Sequence, residues 1–187
     1  MIDVPDSSTD LVLEVTNAAG LHQLREPLMD VYRDAYTDKL DHPFFSEARM
    51  WERLEAYATR DGFTLVLAYE GGELVGYALG NTFMAGSRWG QGMITDVDPP
   101  LLVEDGKRTF GFNYIMVRHA YRRRGIAKAL HDKLIATRHE ARACLLVLPE
   151  NIAARSAYLA WGWHKIGDLR PFDDAPVYDA MLLDLKH

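Results

Sequence analysis

Between Tyr114 and Ala127 the chain reads YIMVRHAYRRRGIA, an apolar strand that runs into an arginine-rich loop and then a glycine. Arg122, Gly125 and Ala127 fall at the spacing Arg-x-x-Gly-x-Ala. A glycine-bearing loop that opens a helix presents unsatisfied backbone N–H groups and the positive end of the helix dipole. That is the chemistry of an anion cradle, suited to phosphate or pyrophosphate. The loop has neither the GK[ST] ending of a P-loop nor the three glycines of a dinucleotide fingerprint. Arg122, Arg123 and Arg124 could also form a solvated basic patch. An acidic chain without exposed aromatics interleaved among the arginines argues against nucleic acid. Further along stand Asn151, a residue type that caps helices, and Tyr158, which shares its helix with Ala153, Ala154, Ala157 and Trp161 and taken alone reads as a core aromatic.

These residues need elements to hold them. Leu11–Val15 alternates as a short strand would. Leu24, Leu28, Val31, Tyr32 and Ala35 share one helical face, and Pro27 kinks or restarts that helix. A second helix follows Ser46, with Met50, Trp51, Leu54 and Ala58 on its inner stripe. Phe63–Tyr69 and Leu74–Asn81 form a hairpin about Gly71-Gly72. Residues 83–107, punctuated by glycine and proline, are a long connection without clear period, functional or a surface insertion. Thr109–Val117 is a strand with apolar groups on both faces. The pattern places Phe110, Phe112, Tyr114 and Met116 on one face and Asn113, Ile115 and Val117 on the other. A helix with Ile126, Ala127, Leu130 and Leu134 follows, then the buried strand Ala143–Leu148. The last elements are a helix from Asn151 to Trp161 with Gly162 at its C′ position, and the strands Trp163–Gly167 and Val177–Leu185. The order is β-α-α-β-β-β-α-β-α-β-β, which predicts a mixed α/β fold with helices on both faces of a central sheet.

The 187 residues suffice for one compact domain, taken as 11–187 with 1–10 as a flexible leader. Apolar residues at 48% and charged residues at 26% are a globular balance. The formal charge of −6 disfavours nucleic acid and points to a cationic small substrate. Cys144 is the only cysteine, so no internal disulfide and no cysteine-built metal site can form. It lies in an apolar run and reads as an inert thiol. Seven histidines show no HExxH spacing, so no metal is expected. The N-terminus does not read as a signal peptide and no apolar run reaches a membrane span, so a cytoplasmic location is expected and no membrane partner.

Taken together, Val117-x-x-x-x-Arg122-x-x-Gly125-x-Ala127 and Asn151-x-x-Ala154-x-x-x-Tyr158-x-x-Trp161-Gly162-Trp163 resemble the GNAT superfamily of acetyl-CoA-dependent N-acetyltransferases. Motif-level agreement covers Tyr114–Trp163. The resemblance implies the GNAT-type fold, a mixed twisted sheet of about seven strands. It implies acetyl-CoA as co-substrate and transfer of its acetyl group to a primary amine of a small molecule or peptide. Backbone groups of Ile115 and Val117 would pair with the pantetheine arm like an added strand. The segment Arg123, Arg124, Gly125, Ile126, Ala127 and Lys128 would hold the pyrophosphate, aided by the charge of Arg122 or its neighbours. Asn151 would contact the cofactor arm, and Tyr158 would be the general acid. Homodimers are common in such proteins, and the exposed face of the C-terminal strands is where a dimer contact is expected.

Two departures stand out. Arg123 replaces a usual glycine, which suggests that this position does not need positive φ. Tyr114 stands where many relatives place a glutamate, so no general base is inherited. Asp96, Asp98 and Glu104 in the 83–107 segment are candidate bases. The missing glutamate also leaves open a non-catalytic acyl-CoA-binding or regulatory module.

Overall fold

The computed structural model describes residues 10–185. The leader assigned to residues 1–10 lies almost wholly outside them. Seven strands form one sheet in the order β1-β2-β3-β4-β5-β7-β6. They are β1 (Val12–Thr16), β2 (Thr64–Glu70), β3 (Glu73–Thr82), β4 (Thr109–Val117), β5 (Arg142–Val147), β6 (His164–Leu169) and β7 (Tyr178–Asp184). The pairings are antiparallel except that β4 and β5 run parallel. The sheet is therefore mixed, as expected.

Helices cover both faces. On one side α1 (Ala18–Gln23), α2 (Arg25–Ala35) and α3 (Glu47–Ala58) bury Leu21, Leu28, Met50 and Leu54 against Leu65, Tyr77 and Leu79. On the other, α4 (Ile126–Ala136) and α5 (Ile152–Ala160) bury Leu130, Leu134 and Tyr158 against Val66, Phe110 and Leu145. The first helical segment is two helices rather than one. Asn17 caps α1 by accepting from the Ala19 N–H at 3.0 Å. Leu24 ends α1 and opens α2, which sets Pro27 in the first turn of α2, where a missing N–H costs nothing. The helix after Ser46 is found as predicted, and Ser46 caps it by accepting from the Arg49 N–H at 3.4 Å.

The hairpin between β2 and β3 turns on Gly71 (φ 58) and Gly72 (φ 82), two consecutive left-handed residues that glycine adopts without a Cβ penalty.

One feature of β4 departs from the alternation read in its sequence. Its register against β3 shifts between Leu79↔Tyr114 and Gly80↔Phe112, which leaves Asn113 as an extra residue. A β-bulge of this kind inverts the side-chain alternation beyond it. Phe110 and Phe112 therefore face α4 and α5 together with Ile115 and Val117, while Tyr114 and Met116 face α2 and α3. The predicted grouping of Phe110, Phe112, Tyr114 and Met116 on one face is corrected accordingly. Asn113 Nδ2 donates to Asn81 Oδ1 at 2.7 Å across the bulge.

Close backbone approach at the bulge sets a test. A Cβ added to Gly80 would lie 2.2 Å from the Gly111 carbonyl oxygen, so β3 and β4 would have to part. Gly80→Ala is expected to destabilise the fold by about 1–3 kcal/mol, read as a shift in denaturant midpoint at unchanged slope. An unshifted midpoint would mean that the strands are not held this closely.

Residues 83–107 form no strand. The segment carries short 3-10 turns at Trp89–Gly92 and Pro99–Leu102 and makes an isolated bridge from Met93 to Leu169. It is nevertheless tied down. Glu104, with its side chain fully buried, accepts from Trp89 Nε1 (2.9 Å), Thr109 Oγ1 (2.8 Å) and Arg142 Nη2 (3.1 Å). The segment is a fixed wall beside β4, not a free surface loop.

Candidate active site

The parallel strands β4 and β5 pair only over Thr109↔Arg142, Phe110↔Ala143 and Gly111↔Cys144. Beyond Gly111 they diverge, and a cleft of 1970 Å³ opens between them. Which backbone groups face that opening follows from the other edge of β4. Arg118 N donates to Val75 O at 2.9 Å, so every second residue back along the strand, Met116 and Tyr114, is bonded to β3. The N–H and C=O groups of Ile115 and Val117 then point the opposite way, at an edge with no strand to satisfy them. The Val117 carbonyl takes one bond, from Arg122 Nε at 3.2 Å. An unpaired strand edge at the wall of a cleft is a template for an extended ligand with amide groups.

The cleft continues to the start of α4. Gly125 is the N-cap with φ 80 and offers no side-chain cap, so the first N–H groups of α4 face outward unsatisfied. Gly125, Ile126, Ala127 and Lys128 all line the cleft. Arg123 corrects the reading drawn from its side chain. Its φ is 59, the one positive value at a non-glycine among the described residues. The turn demands a left-handed residue here, and arginine adopts that conformation at a cost of about 1–2 kcal/mol.

The three loop arginines diverge. Arg122 and Arg123 line the cleft, and Arg122 also donates through Nη2 to the Ala35 carbonyl at 3.3 Å. Arg124 instead pairs with the nearly buried carboxylate of Glu70 and lies over the Tyr121 ring, and its side chain is not part of the cleft lining.

Asn151 and Tyr158 reach the same cleft from α5. Asn151 Oδ1 accepts from the Ala154 N–H at 3.2 Å, a cap that leaves its side-chain amide hydrogens uncommitted. The far end of α5 is a Schellman closure about Gly162 (φ 94). Trp163 N donates to Tyr158 O at 3.0 Å and Gly162 N to Leu159 O at 3.2 Å. The Tyr158 ring packs against Trp161 and Trp163, with centroids 5.7 and 6.0 Å away. Tyr158 is therefore held by its backbone and by both aromatic neighbours. Burial raises its phenol pKa above the ordinary value, so it is a neutral proton donor throughout the physiological range.

Behind Trp163 sits His131, a residue that sequence inspection did not single out. Trp163 Nε1 donates to His131 Nε2 at 3.0 Å, and His131 Nδ1 lies 2.9 Å from Asp132 Oδ1. Nε2 must carry a lone pair to accept, so the ring is neutral with its proton on Nδ1. Burial lowers the His131 pKa and outweighs the opposing pull of Asp132, while Lys128 adds to the lowering. The unfolded chain therefore takes up a proton near pH 6.5 that the folded chain refuses. Stability should be independent of His131 above that pH and fall progressively below it. Denaturant midpoints at pH 7.5 and 5.5 test this, and a His131→Asn variant should show a weaker fall; equal slopes in both proteins would contradict the neutral ring.

The candidate bases do not reach the cleft. Asp96 and Asp98 are exposed on the outer part of the 83–107 segment, and Glu104 is consumed by its buried ion pair. The carboxylates that do line the cleft, Asp38 and Asp61, are exposed at its rim. Tyr114 is no substitute: its hydroxyl accepts from Arg53 Nε at 2.9 Å, and burial raises its pKa. Cys144 is buried, with its thiol pushed up to about 12, so it does not ionise readily as a nucleophile. Among the described residues no group of metal-ligating side chains is assembled and no helix is long and apolar enough to cross a membrane.

The model of the acetyltransferase (GNAT) family matches residues 25–163, from the start of α2 through the Schellman closure. The chain belongs to the GNAT acetyltransferase family. Solved GNAT structures share its fold at low identity. Ard1 from Thermoplasma volcanium aligns with a TM-score of 0.63 at 15% identity, covering 95% of this chain and 99% of that one. The ribosomal-protein-S18-alanine N-acetyltransferase from Escherichia coli gives 0.61 at 17% identity, covering 95% and 96%. A phosphinothricin acetyltransferase from Sinorhizobium meliloti, solved with AcCoA, gives 0.61 at 18%, covering 94% and 88%. No curated protein matches the sequence. Membership in the GNAT family makes this chain an acetyltransferase with the mixed sheet, splayed strands and helix-opening loop described above.

Proposed function

We propose that the protein transfers an acetyl group from acetyl-CoA to a primary amine, by direct attack with both substrates bound. The observation that carries this reading is the convergence of three features on one cleft. They are the unpaired backbone edge at Ile115 and Val117, the uncapped N-terminus of α4 at Gly125–Lys128, and the neutral phenol of Tyr158. An extended chain bearing amides and ending in a pyrophosphate fits the first two in sequence along the cleft. The likeness to the Sinorhizobium meliloti protein solved with AcCoA supports the same ligand. Arg122, Arg123 and Lys128 supply positive charge on that side of the cleft, and the Asn151 amide is free to donate to the cofactor arm.

In the reaction the amine nitrogen attacks the thioester carbonyl carbon. The C–S bond breaks and the departing sulfur takes its proton from the Tyr158 hydroxyl; the nitrogen sheds a second proton as the amide forms, and that proton, relayed through solvent, restores the phenol. Ordinary ammonium groups are protonated at neutral pH, so the amine must lose a proton before attack. Among the described residues the carboxylates that line the cleft are exposed, so that proton goes to solvent, and kcat/KM should climb with pH through the acceptor's own pKa. The test is thiol release from acetyl-CoA over a panel of primary amines, with the amide identified by mass. Amine-dependent release supports the reading. Binding of acetyl-CoA with release at the background rate for every amine would favour a non-catalytic acyl-CoA module.

A further inference from the structure

The half of the cleft away from the α4 loop has a chemistry of its own. Tyr32, Tyr36, Tyr57, Tyr114 and Tyr178 line it, and Arg53 of α3 stands among them. Burial raises the pKa of all five phenols, so none of them becomes an anion near neutral pH. The charge of Arg53 opposes that rise at each of the five, which places its guanidinium within electrostatic reach of them all.

Arg53 is half-buried and short of partners. Nε donates to the Tyr114 hydroxyl and Nη1 to the Phe44 carbonyl, each at 2.9 Å, and the guanidinium lies 4.7 Å from the Phe44 ring centre. These contacts fix its plane. Its Nη2 has no hydrogen-bond partner among the described residues, and none of their ion pairs includes Arg53. The buried carboxylates are engaged elsewhere: Glu70 with Arg124, Glu104 with Arg142, Glu140 with Arg138 and Asp179 with Arg155. A guanidinium stays charged at any working pH, and withdrawing it from water without a counter-ion is unfavourable. A carboxylate on the ligand would relieve that cost through a charge-assisted hydrogen bond to Nη2.

We propose that the acceptor is an amine that also carries a carboxylate, of the size of an α-amino acid with an apolar or aromatic side chain, and that Arg53 binds the carboxylate. The inference rests on the acetyl-transfer reading. Tyr36, Arg53 and Tyr158 line the same cleft, so the carboxylate end of this space and the point of transfer share one cavity. Phe44, Phe45 and Phe172 complete an aromatic wall for the side chain.

Thiol release from acetyl-CoA compares three series: leucine, methionine and phenylalanine as free acids, as primary amides, and as decarboxylated amines. Expressed per unprotonated amine, because the amino groups of acids, amides and decarboxylated amines differ in pKa, kcat/KM for the acids is expected to be on the order of tenfold or more above that for the amides and amines, as one charge-assisted bond provides. Arg53→Gln should bring the acid-to-amide ratio close to one by raising KM for the acids, and Arg53→Lys should keep part of the preference. The acetyl-CoA Kd, which reports on the opposite half of the cleft, should stay within about twofold in both variants. Equal or better use of the amides by the wild type would overturn the inference while leaving acetyl transfer standing. So would an Arg53→Gln variant whose KM for the acids is unchanged. Absence of turnover in all three series while another primary amine of the panel is acetylated would also overturn this inference alone, whereas background release with every amine would overturn both.

Discussion

Tyr158→Phe is expected to lower kcat by about 10²–10⁴-fold, the range that a positioned general acid contributes. The substitution removes one hydroxyl and keeps the ring, so the contacts to Trp161 and Trp163 and the Schellman closure at Gly162 remain. Affinity for acetyl-CoA should therefore change little, which separates a chemical role from a packing role. The pH profile adds a second signature. Burial raises the phenol pKa above its ordinary value of about 10, so the wild type should show no alkaline limb from Tyr158 below that pH. A decline in rate at lower pH would belong to protonation of the acceptor amine. Steady-state thiol release over pH 6–10, with a mass measurement of acetylated product, would check both signatures. A phenylalanine variant that kept the wild-type kcat would remove Tyr158 from the chemistry and leave it as a core aromatic.

The second large effect concerns the wall of the cleft. Glu104→Ala should destabilise the protein by about 3–5 kcal/mol, because it strands the nearly buried guanidinium of Arg142 without a counter-ion. For a chain of this length that amounts to a fall in Tm of the order of 10 °C. The same carboxylate oxygen holds Trp89 and Thr109, so the alanine variant should also loosen the 83–107 segment, which supplies Phe83, Trp89 and Gln91 to the cleft. Glu104→Gln retains an acceptor oxygen and should fall between the two. Differential scanning calorimetry reads the effect directly. A shift of only a degree or two in the alanine variant would mean that Arg142 is satisfied by the Thr109 hydroxyl and the Leu101 carbonyl alone.

Local signals carried the parts of the fold whose physics is local. Ser46 before an apolar stripe, Gly71-Gly72 between two β-type runs, and Asn151 with Gly162 at the ends of one helix each encode a cap or turn in neighbouring residues. Every one of them is found where those signals place it. The strand–loop–helix wall of the cleft was legible for the same reason, since β4, the arginine loop and the start of α4 are contiguous in sequence. What sequence inspection missed depends on contacts between distant segments. The bulge at Asn113 is defined by its register against β3 and by Asn81, and nothing in the alternation of β4 announces it. Arg123 adopts positive φ because the turn into α4 requires it, overriding the side chain's preference. The helix α1 is short and carries Gly20, so periodicity had little to register.

The acceptor half was the hardest to read because its residues come from α2, α3, β4 and β7. A trace of it was present. Arg53 sits three residues after Met50 and four before Tyr57, which puts a charged residue beside the buried stripe of α3. On the proposal made above, a charge at the edge of an apolar stripe is the local signal to weigh for the acceptor, beside a net charge of −6 that averages over the whole surface.

The most direct measurement of the central claim is a crystal structure of the protein with acetyl-CoA. The expected result has the pantetheine amides bonded to the backbones of Ile115 and Val117, the pyrophosphate on the N–H groups of Gly125–Lys128, and the thioester sulfur within hydrogen-bond reach of the Tyr158 hydroxyl. A cofactor bound away from the open edge of β4, or a sulfur out of reach of Tyr158, would contradict the account.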